Sequence, residues 1–279
     1  MATMLKAAAK PVPVAENNRE WDGMLTGVYT LWLKHMRKFV SSKLEIMATL
    51  YLPLLWMLLF GVCMESMIKS FGSKSGSLGY KDFITPGVML LTGLTATVLG
   101  GSTLLMERLN GIIKEYLVAP VPRLAVLLGT LGSGLTKALL QVSVVLLVGM
   151  LFDSALLLQP LRLLAGLLVI VLFSAGFVGI SAGVACQSNG IEEYHALILI
   201  LNMPLLFLSN ALYPLEVMPR IIQIAAYFNP TTYAADALRH LLYGTRLELG
   251  LQIDLPVLSL FMLFGLWYGY RHFQRTTMV

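Results

Sequence analysis

An all-α membrane protein with six transmembrane helices is the fold class this chain predicts, and three observations predict it. Charged residues make up 13% of the 279, about half the density of an ordinary soluble domain. Hydrophobic residues make up 57% and mean hydropathy is +0.76, which leaves too little polar surface to cover a soluble body. The apolar runs are continuous and about 20 residues long, the length that crosses about 30 Å of hydrocarbon as a helix. Strands of a membrane barrel would instead alternate in short segments.

Residues 1–22 are polar, carry Pro11 and Pro13, and predict a flexible cytoplasmic tail without the compact apolar core of a cleavable signal. Residues 23–45 differ. Leu25, Val28, Tyr29, Trp32, Met36, Phe39 and Val40 recur at helical spacing, while Lys34, Arg37 and Lys38 fall on the other side. That is an amphipathic helix lying in the membrane interface; a plain cytoplasmic extension of the first span is the alternative.

Six spans follow, at about 46–64, 84–106, 134–152, 163–185, 195–213 and 252–270. Of the 20 Lys and Arg, twelve fall in the tails and loops on the side of the N-terminus, seven fall on the other side, and Lys137 lies near an inner boundary. Positive charge collects in cytoplasm, so both termini are placed inside, with 273–279 as a C-terminal tail. Cys63 then lies near the outer end of the first span and Cys186 near the inner end of the fourth, too far apart for a disulfide.

The connection 214–251 contains two short amphipathic pieces, about 218–228 and 231–243, broken at Asn229-Pro230. Proline removes a donor and restricts the residue before it, so one continuous helix is excluded. Two re-entrant half-helices in the outer leaflet fit; surface helices on an extracellular loop are the alternative.

Sequence signals for chemistry are sparse. No GxxxxGK[ST] occurs, so this chain shows no phosphate-binding loop of its own. "GSGLTK" at 132–137 departs from that pattern because Thr136 precedes Lys137. Neither the two cysteines nor the four histidines have metal-ligand spacing. The net charge of +5 is read as topology and contact with anionic lipid, since no basic block interleaved with aromatics points to nucleic acid. Lys137 is the one charge taken to lie well inside an apolar run, where its stem would snorkel to the cytoplasmic boundary. Asn202 and Asn210 in the fifth span are candidates for a substrate path, with bonds to neighbouring helices as the alternative. Gly179 and Gly183 have the spacing that lets membrane helices approach closely.

One stretch stands apart. Leu109, Ile112, Ile113, Tyr116 and Leu117 line one face of 107–119, and Glu107, Arg108, Asn110, Gly111, Lys114 and Glu115 the other. The spacing predicts a helix of about three turns, stopped by Pro120 and Pro122. Its charged face offers a rigid knob on the inner side of the membrane on which another protein could push; an anchoring helix is the alternative.

At this point four stretches also resemble a family. "EYLVAPVPRLAVLLGTLGSG" from Glu115, "FITPGVM" at 83–89, "NGIEEYHALILILNMPLLFLSNALYPLEVMP" at 189–219 and "NPTTYAADALRHLLYG" at 229–244 are similar, in order and spacing, to type 2 ABC transporter permeases of the daunorubicin-resistance-like subgroup. The resemblance covers about 24–272. It implies a six-span permease domain over 46–272 in a plasma (bacterial inner) membrane, with two permease subunits, alike or different, working with two copies of a separate ABC ATPase. ATP and Mg would be held by that partner, and this chain would bind no cofactor and do no covalent chemistry. The coupling helix would present Glu107, Arg108, Gly111, Lys114, Glu115, Pro120, Pro122 and Arg123. The outer half-helices, with Pro219, Asn229, Pro230, Tyr233 and Arg239, would cap the path of an amphipathic, lipid-like or polysaccharide substrate. One departure is Lys114 beside Glu115, where related permeases often carry two acids. An ion-coupled secondary transporter is the alternative function; the scarcity of intramembrane carboxylates in the sequence argues against it.

Overall fold

The computed structural model describes residues 16–59, 80–118, 122–152, 160–244 and 249–277. Among them there are ten α-helices and one short 3-10 turn. In chain order the helices are α1 (Glu16–Ser41), α2 (Lys43–Leu58), α3 (Tyr80–Leu109), α4 (Ile112–Val118), α5 (Arg123–Phe152), α6 (Pro160–Gln187), α7 (Ile191–Phe207), α8 (Arg220–Tyr227), α9 (Pro230–Tyr243) and α10 (Leu251–Thr277).

Among the described residues, four stretches are long and apolar enough to cross a membrane: Phe83–Leu109, Arg123–Met150, Leu161–Gln187 and Leu251–Thr276. They match the second, third, fourth and sixth expected spans. The third begins at Arg123, well before the expected residue 134, because Pro122 stands where a helix start needs no N–H and its carbonyl accepts from Ala125 N at 2.8 Å. At 30 residues α5 is about 45 Å long, so about a third of it extends past the hydrocarbon. The first expected span starts in α2 and continues outside the described residues, which also leave out Cys63. The fifth is α7, which spans 17 residues and stops at Phe207, short of the expected 213. There, Asn229 Nδ2 donates to the carbonyls of Leu205 and Leu208, at 2.7 and 2.8 Å, and replaces the helical ladder.

α1 begins at Glu16, inside the stretch expected to be flexible tail, and ends at Ser41. Ser42 caps α2 by accepting from Glu45 N at 3.3 Å, the S-x-x-E arrangement that starts a new helix. α1 lies along α5. Trp32 Nε1 donates to Thr136 Oγ1 at 3.0 Å, and Gly129 leaves room for the backbone of α1 at Val28. Its bundle-facing row is Leu31, His35, Met36 and Phe39, all buried, while Leu25, Tyr29 and Val40 face outward. The apolar residues of the expected single stripe therefore divide between protein and surroundings.

α3, α5, α6 and α10 form the centre. α6 and α10 approach most closely: a Cβ on Gly179 would land in the carbonyl of Gly265, and one on Gly269 in the carbonyl of Gly179. In lipid such contact is driven by packing, not by expulsion of water. Phe177 bridges Phe173 and Phe261 at 4.8 Å between ring centroids on each side.

One end of the bundle holds α4, the C-termini of α3 and α6, and the N-termini of α5 and α7. The other holds α8 and α9. The half-helix expectation of 218–228 and 231–243 corresponds to α8 and α9, but the two are unlike. α8 leaves Ile221 and Ile224 exposed, as is Phe228 just after it, while α9 buries nine of its 14 residues against α3, α6 and α10. Asn229 Oδ1 accepts from Thr231 N at 2.9 Å, Pro230 occupies the first turn, and Gly244 closes the helix at φ 67°.

Candidate functional site

The expected continuous helix over 107–119 is instead an elbow. α3 runs through Glu107 and Arg108 to Leu109, the chain turns at Asn110 and Gly111, and α4 restarts at Ile112. Gly111 has φ +76°, a left-handed conformation that costs a side-chain-bearing residue about 1–2 kcal/mol. Thus Glu107 and Arg108 sit on the last turn of a long helix, not on the knob itself.

Both are engaged inward. Glu107 is 6% exposed. Its Oε1 lies 2.8 Å from Lys34 Nζ on α1 and accepts from Tyr116 Oη on α4 at 3.0 Å. Lys34 Nζ also donates to the Tyr116 hydroxyl and stands 5.0 Å from that ring's centroid. His35 Nε2 approaches Glu107 Oε2 at 3.8 Å. A single carboxylate therefore ties together α1, α3 and α4. Burial pulls Lys34 down, but its bonds to Glu107 and Tyr116 outweigh burial and hold it above its ordinary pKa. Burial raises Tyr116 and lowers His35, so Lys34 is held as a cation beside a neutral phenol and a neutral imidazole.

Arg108 turns the other way. Its two terminal nitrogens donate to the carbonyls of Cys186 and Ser188 at the end of α6, where unsatisfied carbonyls and the helix dipole favour a cation. Thr276 Oγ1 of α10 donates to the same Cys186 carbonyl at 3.3 Å. Glu107 thus fixes the elbow to α1 and Arg108 fixes it to the end of α6, whose Cys186 carbonyl is shared with α10. The charges left facing solvent are Lys114, Glu115 and Arg123; Pro122 is half-buried. Pro120 lies outside the described residues.

Behind the elbow, Tyr194 Oη donates to Val98 O at 2.7 Å and shares a 2.7 Å hydrogen bond with Ser181 Oγ. This buried pair locks α3, α6 and α7 together.

At the opposite end Arg239, expected on the outer half-helices, is 5% exposed. Its guanidinium stacks 3.7 Å over the Phe83 ring and donates to the carbonyls of Phe83, Asn210 and Ala211. Asp236 Oδ2 accepts from Leu249 N at 3.0 Å. Tyr233 Oη donates to Tyr227 O at 2.6 Å, joining α9 to α8, and Pro219 precedes α8, exposed. Asn210 is fully buried and its side-chain amide has no hydrogen-bond partner among the described residues, whereas Asn202 is half-buried on α7.

Two charges correct the sequence reading. Lys137 does not only snorkel: its Nζ lies 3.2 Å from Glu45 Oε1 of α2. Asp254, within α10, is fully buried with both carboxylate oxygens unpartnered among the described residues, so an acid does lie inside the last span. It was legible at 254 but hidden by the apolar average of its window. Lys34, His35 and Tyr116 went unrecognised because each is ordinary in its own helix; only the fold brings them to Glu107.

Among the described residues the chain is all-helical, with a charged elbow clamped beside several membrane-length apolar helices, the architecture of a multi-pass membrane protein. Residues 26–243 match the family model described as ABC-2 type transporter, and the chain belongs to that family, as a transport permease subunit of an ABC transporter. It is 30% identical over 198 residues to the protein named transport permease ycf38 in Pyropia yezoensis, covering 70% of this chain and 67% of that one. It is 25% identical to the daunorubicin resistance ABC transporter permease protein DrrB1 of Streptomyces coeruleorubidus, covering 77% and 74%. It is 24% identical to the inner membrane transport permease YadH of Escherichia coli K12, covering 83% and 86%.

Proposed function

We propose that this chain is the membrane half of an ATP-driven exporter. It works as two permease subunits with two copies of an ABC ATPase, which holds the ATP and Mg. It crosses a plasma or bacterial inner membrane six times, with α2 and α7 as the first and fifth spans, both termini cytoplasmic and the α4 end inside. α9, buried among the spans, caps the path from outside. α7 buries Tyr194, Ile198 and Leu206, a row that also holds the half-buried Asn202, and its opposite, outward face borders the second subunit. The cargo is an amphipathic, lipid-like or polysaccharide molecule.

The single observation that carries this reading is the clamped elbow. A push on Lys114 and Glu115 moves α4, and Glu107, Lys34 and Tyr116 pass that motion to α1 and α3 without a soft joint. Closure of the ATPase pair would shift the population from an inward-open to an outward-open or laterally open path.

Complex recovery, ATP turnover and transport, measured on the same variants, test it. Glu115→Arg should weaken ATPase binding. Pro120→Gly with Pro122→Gly should leave ATPase bound and hydrolysing while transport falls. Wild-type values for Glu115→Arg in all three assays would sink the coupling role.

A further inference from the structure

α5 carries a buried polar stripe. Ser133, Lys137 and Gln141 recur every four residues and are 2%, 4% and 3% exposed, so they stack on one face. Lys137 Nζ is held between α1 and α2, 4.9 Å from the Phe39 ring centroid and 3.2 Å from Glu45 Oε1. Gln141 Nε2, one turn deeper, is buried without any acceptor among the described residues.

The Lys137–Glu45 pair is lopsided. The Lys137 side chain is 6% exposed and the Glu45 side chain 31%. Glu45 sits in the first turn of α2, whose Leu44, Met47, Tyr51 and Leu58 all face outward. Glu45 can therefore move into solvent or headgroups at small cost, but Lys137 cannot be left without an anion inside the bundle. Whenever α2 moves off α5, another anion must take the place of Glu45. The donor of Gln141 lies about 6 Å deeper along the helix and requires an acceptor. An acidic head with a carbonyl or hydroxyl oxygen one helical turn below it satisfies both.

We propose that Lys137 and Gln141 form a binding site for the head of an anionic amphiphile entering from the α4-end leaflet, with Glu45 as its internal stand-in. Lys137 takes the phosphate or carboxylate, Gln141 takes an ester- or amide-level oxygen below it, and the acyl part runs along the outward face of α2. This deepens the exporter reading and rests on it: the cargo class narrows to acidic amphiphiles, away from cationic drugs and neutral polysaccharide.

The test uses the full chain with its ATPase in phosphatidylcholine nanodiscs, with spin-labelled phosphatidylglycerol and phosphatidylcholine as probes. Glu45→Gln removes the competitor and should raise the preference for the anionic label about tenfold, the worth of one charge-assisted bond. Glu45→Gln with Lys137→Gln, a neutral pair that strands no buried charge, should abolish the preference. Gln141→Leu should reduce it with the ion pair intact. Equal preference in all four proteins would overturn the site. Displacement of the label by inorganic phosphate alone would overturn the amphiphile and leave a soluble anion. ATPase recovery is read separately in the same samples: its loss from the wild-type complex would defeat the exporter reading and leave the lipid result standing.

Discussion

Glu107 Oε1 lies 2.8 Å from Lys34 Nζ, across 73 residues of chain, but the two partners are not equally buried: the Lys34 side chain is 46% exposed and that of Glu107 7%. The pair should be asymmetric to mutation. Glu107→Gln leaves an ammonium that water can reach and should cost at most about 1 kcal/mol. Lys34→Met leaves a carboxylate buried with only Tyr116 and His35 beside it and should cost about 2 kcal/mol. Thermal melting of both single variants and the double variant measures this, and equal single losses would contradict it.

His35 supplies a pH dependence. Burial is the largest influence and lowers it; Glu107 opposes, while Lys34, Lys137 and Lys38 add to the lowering. The unfolded chain takes up this proton near 6.5 and the folded chain only at lower pH. Stability from this group is therefore complete above 6.5 and is lost as pH falls towards the native value. His35→Phe should lose less melting temperature than wild type between about pH 7.5 and about pH 5.5. An identical loss in both proteins would show that His35 does not titrate there.

Gly179 meets the Gly265 carbonyl directly. Gly179→Val should force α6 and α10 apart and cost about 2 kcal/mol or more. Gly190→Ala, at the N-cap of α7 with open space around its Cβ, adds no clash and should cost less than Gly179→Val, at most about 1 kcal/mol.

Arg239 should behave as a buried tie, not as a surface charge. Arg239→Met keeps length and apolar contact with Phe83 but removes the donors to Phe83, Asn210 and Ala211. A loss of about 3 kcal/mol is expected from carbonyls left unpaired, with ATPase recovery retained at a temperature where the variant is folded. A change below about 1 kcal/mol would fit an exposed ion pair instead.

Membrane class, helical architecture and most of the order of elements were determined by the sequence itself. Charge density and unbroken apolar runs are local quantities, and a bilayer leaves helices as the way to satisfy the backbone within such runs. Proline and glycine were legible for the same reason. Pro122, Pro230 and Gly244 act on their own neighbours, so α5, α9 and its end fall beside them. The amphipathic row over 107–119 was also real, yet it misled. Helical spacing continues through Gly111, and no period records a positive φ. Tertiary structure alone decided which charges meet. Glu107 on Lys34, Arg108 on the end of α6, Lys137 on Glu45 and Arg239 on three carbonyls are partnerships between segments distant in sequence. In a low-dielectric interior a charge must find a partner, but the sequence states only that need. Which partner answers it depends on how the helices pack.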